Sequence, residues 1–208
     1  MKNYCNKHYT MYEQATGCLD CSSSNTPQKD AFFCKGLNIV LGDRRQGKTT
    51  FCYAAAYHAL VGRSTLGCYP LGFQGDVVII ANKDFHAKNM STFGLPSAWK
   101  YRNFFYESLP CASLSFYKYS PKFVVVDTYK ELSASEIESL TTFGLKYDVA
   151  IVVTHDEEPG AILPYPKFSN IIHIRRINDN WHIQRTYKRK QTDLELKVDY
   201  AWGMFTIS

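Results

Sequence analysis

The stretch Gly42-Asp43-Arg44-Arg45-Gln46-Gly47-Lys48-Thr49 constrains this chain more than any other. It follows the pattern G-x-x-x-x-G-K-[ST], and its flanks have the matching character. Leu37-Asn38-Ile39-Val40-Leu41 reads as a buried strand, and the Ala-rich run from Lys48 to Val61 reads as a helix. A loop of this composition folds tightly on its glycines. It turns successive backbone N–H groups toward one point, where the positive end of the helix adds its dipole. Such a loop suits phosphates. Lys48 is expected to reach the β and γ phosphates of a nucleotide, and the Thr49 hydroxyl to ligate Mg²⁺. The candidate nucleotide-binding residues are thus Gly42, Asp43, Arg44, Arg45, Gln46, Gly47, Lys48, Thr49 and the adjoining Thr50.

The rest of the chain supplies a sheet for this loop. At 45% hydrophobic and 15% aromatic residues, the 208-residue chain can bury a core, which excludes disorder for its bulk. Asp76–Ala81, Lys122–Val126 and Val149–Val153 are short and rich in β-branched residues, and after the charged Asp76 and Lys122 that open the first two they are continuously apolar. That is the pattern of parallel strands covered on both faces. Ser133 to Lys146 reads as a helix opened by the capping box Ser133-x-x-Glu136. Ile171–Arg175 and Trp181–Arg185 alternate around the turn signal Asn178-Asp179-Asn180. With Leu194–Val198 and Met204–Ile207 they predict an antiparallel addition at one sheet edge. Ala87 to Ser120 is rich in aromatics but has no clear period, and it carries no assignment. The expected fold class is α/β, with a mainly parallel central sheet and antiparallel C-terminal strands.

The polar stretch Ser22–Gln28 reads as a linker. It divides a zinc-finger-like segment, 1–34, from the phosphate-loop domain, 35–208. Cys5-x-x-His8 and Cys18-x-x-Cys21 are two close pairs, and four such ligands fit a tetrahedral structural Zn²⁺. So short a module cannot hold a core without a metal. Cys34 is an alternative fourth ligand, while Cys52, Cys68 and Cys111 read as small hydrophobes. The N-terminus lacks the apolar stretch of a secretory signal, and no run approaches the ~18–20 apolar residues of a membrane span. These readings predict a cytoplasmic protein, or one of the host cytoplasm or virion if viral, with thiols rather than disulfides.

A phosphate loop needs an acid at the end of another strand. Asp127, closing Phe123-Val124-Val125-Val126-Asp127, is the candidate for holding Mg²⁺ through water. The position after it is Thr128, so a water-orienting carboxylate must come from elsewhere. Asp84, beyond the strand ending at Ala81, is preferred slightly over Glu131. The fourth strand ends in Thr154-His155-Asp156, and His155 is the candidate for sensing the γ phosphate there. From Lys167 to Ser208 there are eight Lys and Arg against four Asp and Glu, supplying +4 of the net +5. That tail is where a polyanion contact is expected.

Taken together, GDRRQGKTTF, KFVVVDT, IVVTHD and IIHIRRINDNWHIQRTYKRK resemble the RecA/DnaB-type branch of P-loop ATPases over roughly Gly36 to Ser208. The resemblance implies a RecA-like domain and ATP hydrolysis coupled to movement on, or remodelling of, nucleic acid, with DNA as the expected form. It implies a ring or filament with nucleotide between subunits. It also implies a Lys/Arg-bearing turn that reaches the neighbour's nucleotide. Lys188, Arg189 and Lys190 occupy the matching stretch, and Arg189 is selected because its planar guanidinium suits phosphate geometry. His155 is similar to the His that replaces the usual Gln in phage-type and mitochondrial replicative helicases. The chain departs from the family where Asn82-Lys83-Asp84 stands in place of a glutamate after the second strand, and no DNA-binding loop motif is recognisable. A viral genome-packaging ATPase shares this core and length. A nucleoside or nucleotide kinase is a further alternative, since Val78 to Asp84 faintly resembles the second strand of thymidine kinases. The non-enzymatic alternative is a zinc-bearing binding protein with a regulatory nucleotide site.

Overall fold

Continuously apolar strands need cover on both faces, and among the described residues a helix on each side of the sheet provides it. The computed structural model describes residues 2–5, 10–13, 31–61, 65–66, 69–70, 72–73, 75–81, 104–108, 120–127, 132–156, 170–178, 180–199 and 204–207. Strands β1 (Lys2–Cys5) and β2 (Thr10–Glu13) pair antiparallel. The main body then runs β3 (Gly36–Gly42), α1 (Lys48–Val61), the short pair β4 (Thr65–Leu66) and β5 (Tyr69–Pro70), then β6 (Val77–Ala81), β7 (Phe104–Ser108) and β8 (Phe123–Asp127). It continues with α2 (Ala134–Tyr147), β9 (Ala150–Asp156), β10 (Asn170–Ile177), β11 (Asn180–Tyr187), β12 (Lys190–Asp199) and β13 (Met204–Ile207).

Nine strands form one sheet in the order β13-β12-β11-β10-β3-β9-β8-β6-β7. From β10 to β7 every pairing is parallel, and from β10 to β13 every pairing is antiparallel. The fold is therefore α/β with a mixed sheet, mainly parallel and closed by antiparallel C-terminal strands. Two details differ from the sequence reading. Ile171–Arg175 lies in a strand that joins the parallel set by pairing with β3, and only its other edge begins the antiparallel addition. The unassigned stretch contains an edge strand, β7.

Alternation splits the strand residues between two cores. Val40, Val77, Ile79, Val125, Val152, Ile172 and Ile174 pack with Phe51, Cys52, Ala55, Ala56 and Ala59 of α1. Leu37, Ile39, Leu41, Val78, Ile80, Val124, Val126, Ile151 and Val153 pack with Ile137, Leu140 and Phe143 of α2. The alanines of α1 let its axis lie close to the sheet. Helix α2 starts at the expected capping box: Ser133 accepts from the Glu136 N–H, and the Glu136 carboxylate accepts from the Ser133 N–H.

A buried polar chain ties residues 31–34 to the sheet end away from the phosphate loop. Arg185 Nε donates to Asn170 Oδ1 (3.0 Å) and its Nη2 to the Ala31 carbonyl (2.7 Å). Asn170 Nδ2 donates to Asn38 Oδ1 (2.9 Å), and Asn38 Nδ2 to the Cys34 carbonyl (2.8 Å). The half-buried Cys34 thiol donates to Asn38 Oδ1, and burial pushes its pKa up. A thiol so held is a poorer metal ligand than a thiolate. Cys52 is buried, as a small hydrophobe should be. Among the described residues no helix is long and apolar enough to cross a membrane.

Candidate phosphate-binding site

Ligands of open parallel sheets bind outside the carboxyl ends of the strands. The Gly42–Thr49 loop lies there, joining β3 to α1. Two of its glycines are required by what surrounds them. A Cβ on Gly42 would stand 2.5 Å from the Ile174 carbonyl oxygen. Gly47 has φ +89°, and a Cβ there would meet Trp181 Cζ2 at 2.9 Å. Trp181 is buried on β11, edge-on to Phe51 of α1 with ring centroids 6.0 Å apart. The Arg176 N–H donates to Gln46 Oε1 (2.6 Å). The antiparallel addition thus braces the phosphate loop, with β10 and β11 forming one wall of its seat. Arg44 and Arg45 remain exposed, and Arg45 takes a left-handed φ of 67°.

Lys48, the first residue of α1, is 8% exposed and folds back across the loop. Its Nζ donates to the carbonyls of Gly42 (2.7 Å) and Asp43 (2.8 Å) and pairs with Asp156 Oδ1 (2.8 Å). Asp156 Oδ2 is taken by Arg44 Nε at 3.0 Å. Burial alone would push the Asp156 carboxyl up, but the hydrogen bonds and charges of Lys48 and Arg44 hold it below the usual carboxylate range.

The second half of the site is carboxylate and hydroxyl. Asp127, at the end of β8, accepts from Thr49 Oγ1 (3.0 Å) and from Thr154 Oγ1 (2.8 Å), both on Oδ1. Strand β9 lies between β8 and β3, so Asp127 reaches Thr49 across a neighbouring strand, and Thr154 on that strand supports it from below. Burial raises the Asp127 pKa; the hydroxyls of Thr154 and Thr49 and the charge of Lys48 offset this only in part. A buried carboxylate beside a hydroxyl is the hard-oxygen set that Mg²⁺ takes, so these residues fit that ion.

Burial also sets a pH signature. A carboxyl whose folded pKa exceeds its unfolded value stabilises the fold most below the unfolded pKa. That contribution is lost as pH rises through the folded pKa. Asp127→Asn should therefore raise the unfolding temperature of the Mg²⁺-free protein at neutral pH. Each kcal/mol relieved corresponds to about 2–4 °C in a chain of this size. The gain should shrink as pH falls and the wild-type carboxyl takes up its proton. Thermal melts from pH 7 to pH 4 check this, and a gain that grows on acidification contradicts it.

The structure brings together Lys48, Thr49 and Asp127, as the motif predicts. It adds two residues that sequence reasoning did not single out, Thr154 and Asp156. His155 lies between them on β9 and so faces the other side of the sheet, level with Leu41 of the α2-side core. Its Nδ1 donates to the Asp156 carbonyl (2.6 Å). Lys188 and Arg189 form the two-residue turn between β11 and β12, both with positive φ (48° and 63°) and both exposed. Strand β11 runs antiparallel to β10, so this turn lies at the opposite end of the sheet from Lys48. Eight residues of β11 separate the two ends, about 23 Å of extended chain. Asp84, Glu131, His8, Cys18 and Cys21 lie outside the described residues, as do the side chain of Cys5 and the proposed linker. Among the described residues no group of three or more His, Cys, Asp or Glu could hold a metal ion. No protein-family model matches this sequence, and no curated protein sequence matches it.

Proposed function

We propose that this chain is a RecA/DnaB-type ATPase that couples ATP hydrolysis to movement on, or remodelling of, nucleic acid. One observation carries the reading: Asp127, remote in sequence, hydrogen-bonds the hydroxyl that follows the phosphate-loop lysine. The mainly parallel sheet with closing antiparallel strands supports the same likeness. In this reading the loop amides and Lys48 hold the β and γ phosphates; Thr49, and Asp127 through water, would hold Mg²⁺, whose charge would offset that of the phosphates. A water oxygen bonds to the γ phosphorus as the bond to the β–γ bridging oxygen breaks. ADP leaves, and the water's proton passes through a carboxylate, Asp84 or Glu131, to the released phosphate. A zinc ion held by Cys5, His8, Cys18 and Cys21 would give the N-terminal segment its core.

The position of the Lys188–Arg189 turn supports a shared site. These cations cannot serve the phosphate loop of their own chain, so the role read for Arg189 requires a neighbouring copy. Turnover per subunit should then rise with protein concentration and with added single- or double-stranded DNA. Arg189→Ala should bind ATP yet hydrolyse it ~10³-fold more slowly, the scale of a cation supplied in trans. Mixing it with Lys48→Ala should restore part of the activity through interfaces that combine the intact halves. A fully active monomer whose rate is independent of concentration and of DNA contradicts the shared site and the coupling to nucleic acid.

A further inference from the structure

A phosphate-loop lysine must have hydrogen-bond capacity to offer an incoming phosphate, and here that capacity is already committed. An ammonium has three N–H donors. Lys48 has three partners: the carbonyls of Gly42 and Asp43 and the carboxylate of Asp156. The two carbonyls belong to the loop backbone. The Asp156 carboxylate is a side-chain anion at a strand end, and its second oxygen is held by Arg44, another residue of the same loop. One carboxylate therefore bridges two of the loop's cations, as an oxyanion of a phosphate would. Thr154 and Asp156 lie two apart on β9 and share the face that carries the loop, so the strand directs the Asp156 side chain to the loop's side of the sheet.

We infer that Asp156 is an internal anion that occupies Lys48 and Arg44 in the absence of ligand and is displaced when a nucleoside polyphosphate binds. The inference rests on reading the loop as a nucleotide site and adds a regulatory element to it. Binding becomes an exchange of one anion for another. Affinity for polyphosphate is lowered by the charge-assisted contacts that must first break. The displaced carboxylate is that of the last residue of β9, so occupancy of the loop is sensed at the end of this strand. The reporting role expected of His155 falls instead to the next residue.

Isothermal titration of the full-length chain with Mg²⁺–ATP and with inorganic pyrophosphate tests this. Asp156→Asn keeps the shape and removes the charge, and it should bind both ligands roughly tenfold more tightly than wild type, the scale of a lost charge-assisted pair. Asp156→Ser, which removes the carboxylate and shortens the side chain, should shift affinity in the same direction. In a Lys48→Ala background either change should tighten binding less than in wild type, because only the Arg44 contact is then left to release. Unchanged or weaker affinity in both Asp156 variants, with wild type binding normally, overturns the inference and leaves the nucleotide site standing. If wild type binds neither ligand and Lys48→Ala behaves identically, the reading of the loop falls, and the inference with it.

Discussion

Lys48→Ala should abolish ATP hydrolysis, with turnover falling at least ~10²-fold, the usual cost of removing a charge that stabilises a transition state. Two nearby arginines already have partners in the ligand-free protein. Arg44 is mostly exposed and engaged with Asp156. Arg176 sends its guanidinium toward the Asn178 carbonyl (3.2 Å). The substitution also strips a donor from the Gly42 and Asp43 carbonyls and leaves Asp156 paired only with Arg44 among the described contacts. Nucleotide affinity should therefore fall together with turnover. Phosphate release and equilibrium binding, measured on the same preparation, check both effects. Wild-type turnover in Lys48→Ala would remove the ATPase reading.

Trp181→Ala should have the largest effect on stability. The indole is 1% exposed, belongs to the α1-side core, stacks edge-on to Phe51 and closes against Gly47. Truncating a buried Trp to Ala costs about 3–5 kcal/mol, a large share of the ~5–15 kcal/mol that holds a domain together. The loss falls on the phosphate loop because the cavity opens directly beneath Gly47. Any folded fraction should bind nucleotide weakly. Trp181→Phe keeps a ring against Phe51 and should recover more than half of the stability. Urea unfolding followed by circular dichroism measures both variants. A Trp181→Ala protein of unchanged midpoint and unchanged nucleotide affinity contradicts the bracing role given to β11.

The legible parts of the fold were those fixed by local chemistry. Helix α1 occupies the predicted range from Lys48 to Val61, and α2 begins at the predicted capping serine. Strands β3, β6, β8 and β9 coincide with continuous apolar runs because both of their faces are buried. Strand β10 alternates because Ile172 and Ile174 belong to the α1-side core while His173 and Arg175 face the other side, lining an open groove with Gln184, Asp193 and Glu195. One-sided alternation suggested an antiparallel strand, and its parallel partner β3 could be known only from pairing far along the chain. The edge strand β7 was hidden because its stretch carries aromatics without a period.

The site divides in the same way. Lys48 and Thr49 follow from a contiguous motif, and Asp127 from an acid at a strand end. Thr154 and Asp156 were within reach of the period-two rule, since residues flanking His155 must share the face opposite to it. What was missing was knowledge of which face carries α1. The bracing contacts of Trp181 with Gly47 and of Gln46 with Arg176 gave no signal, because they join segments that only the sheet order brings together.

The fate of the γ-phosphoryl group of ATP tests the central claim most directly. Incubating the full chain with ATP labelled at that position, Mg²⁺, DNA and thymidine as a competing acceptor, then separating the products, gives the answer in one experiment. The label should leave as inorganic phosphate, only in the presence of Mg²⁺, and should stay on ATP in Lys48→Ala. Label transferred to thymidine, or ATP bound and recovered intact at every protein and DNA concentration, would contradict it.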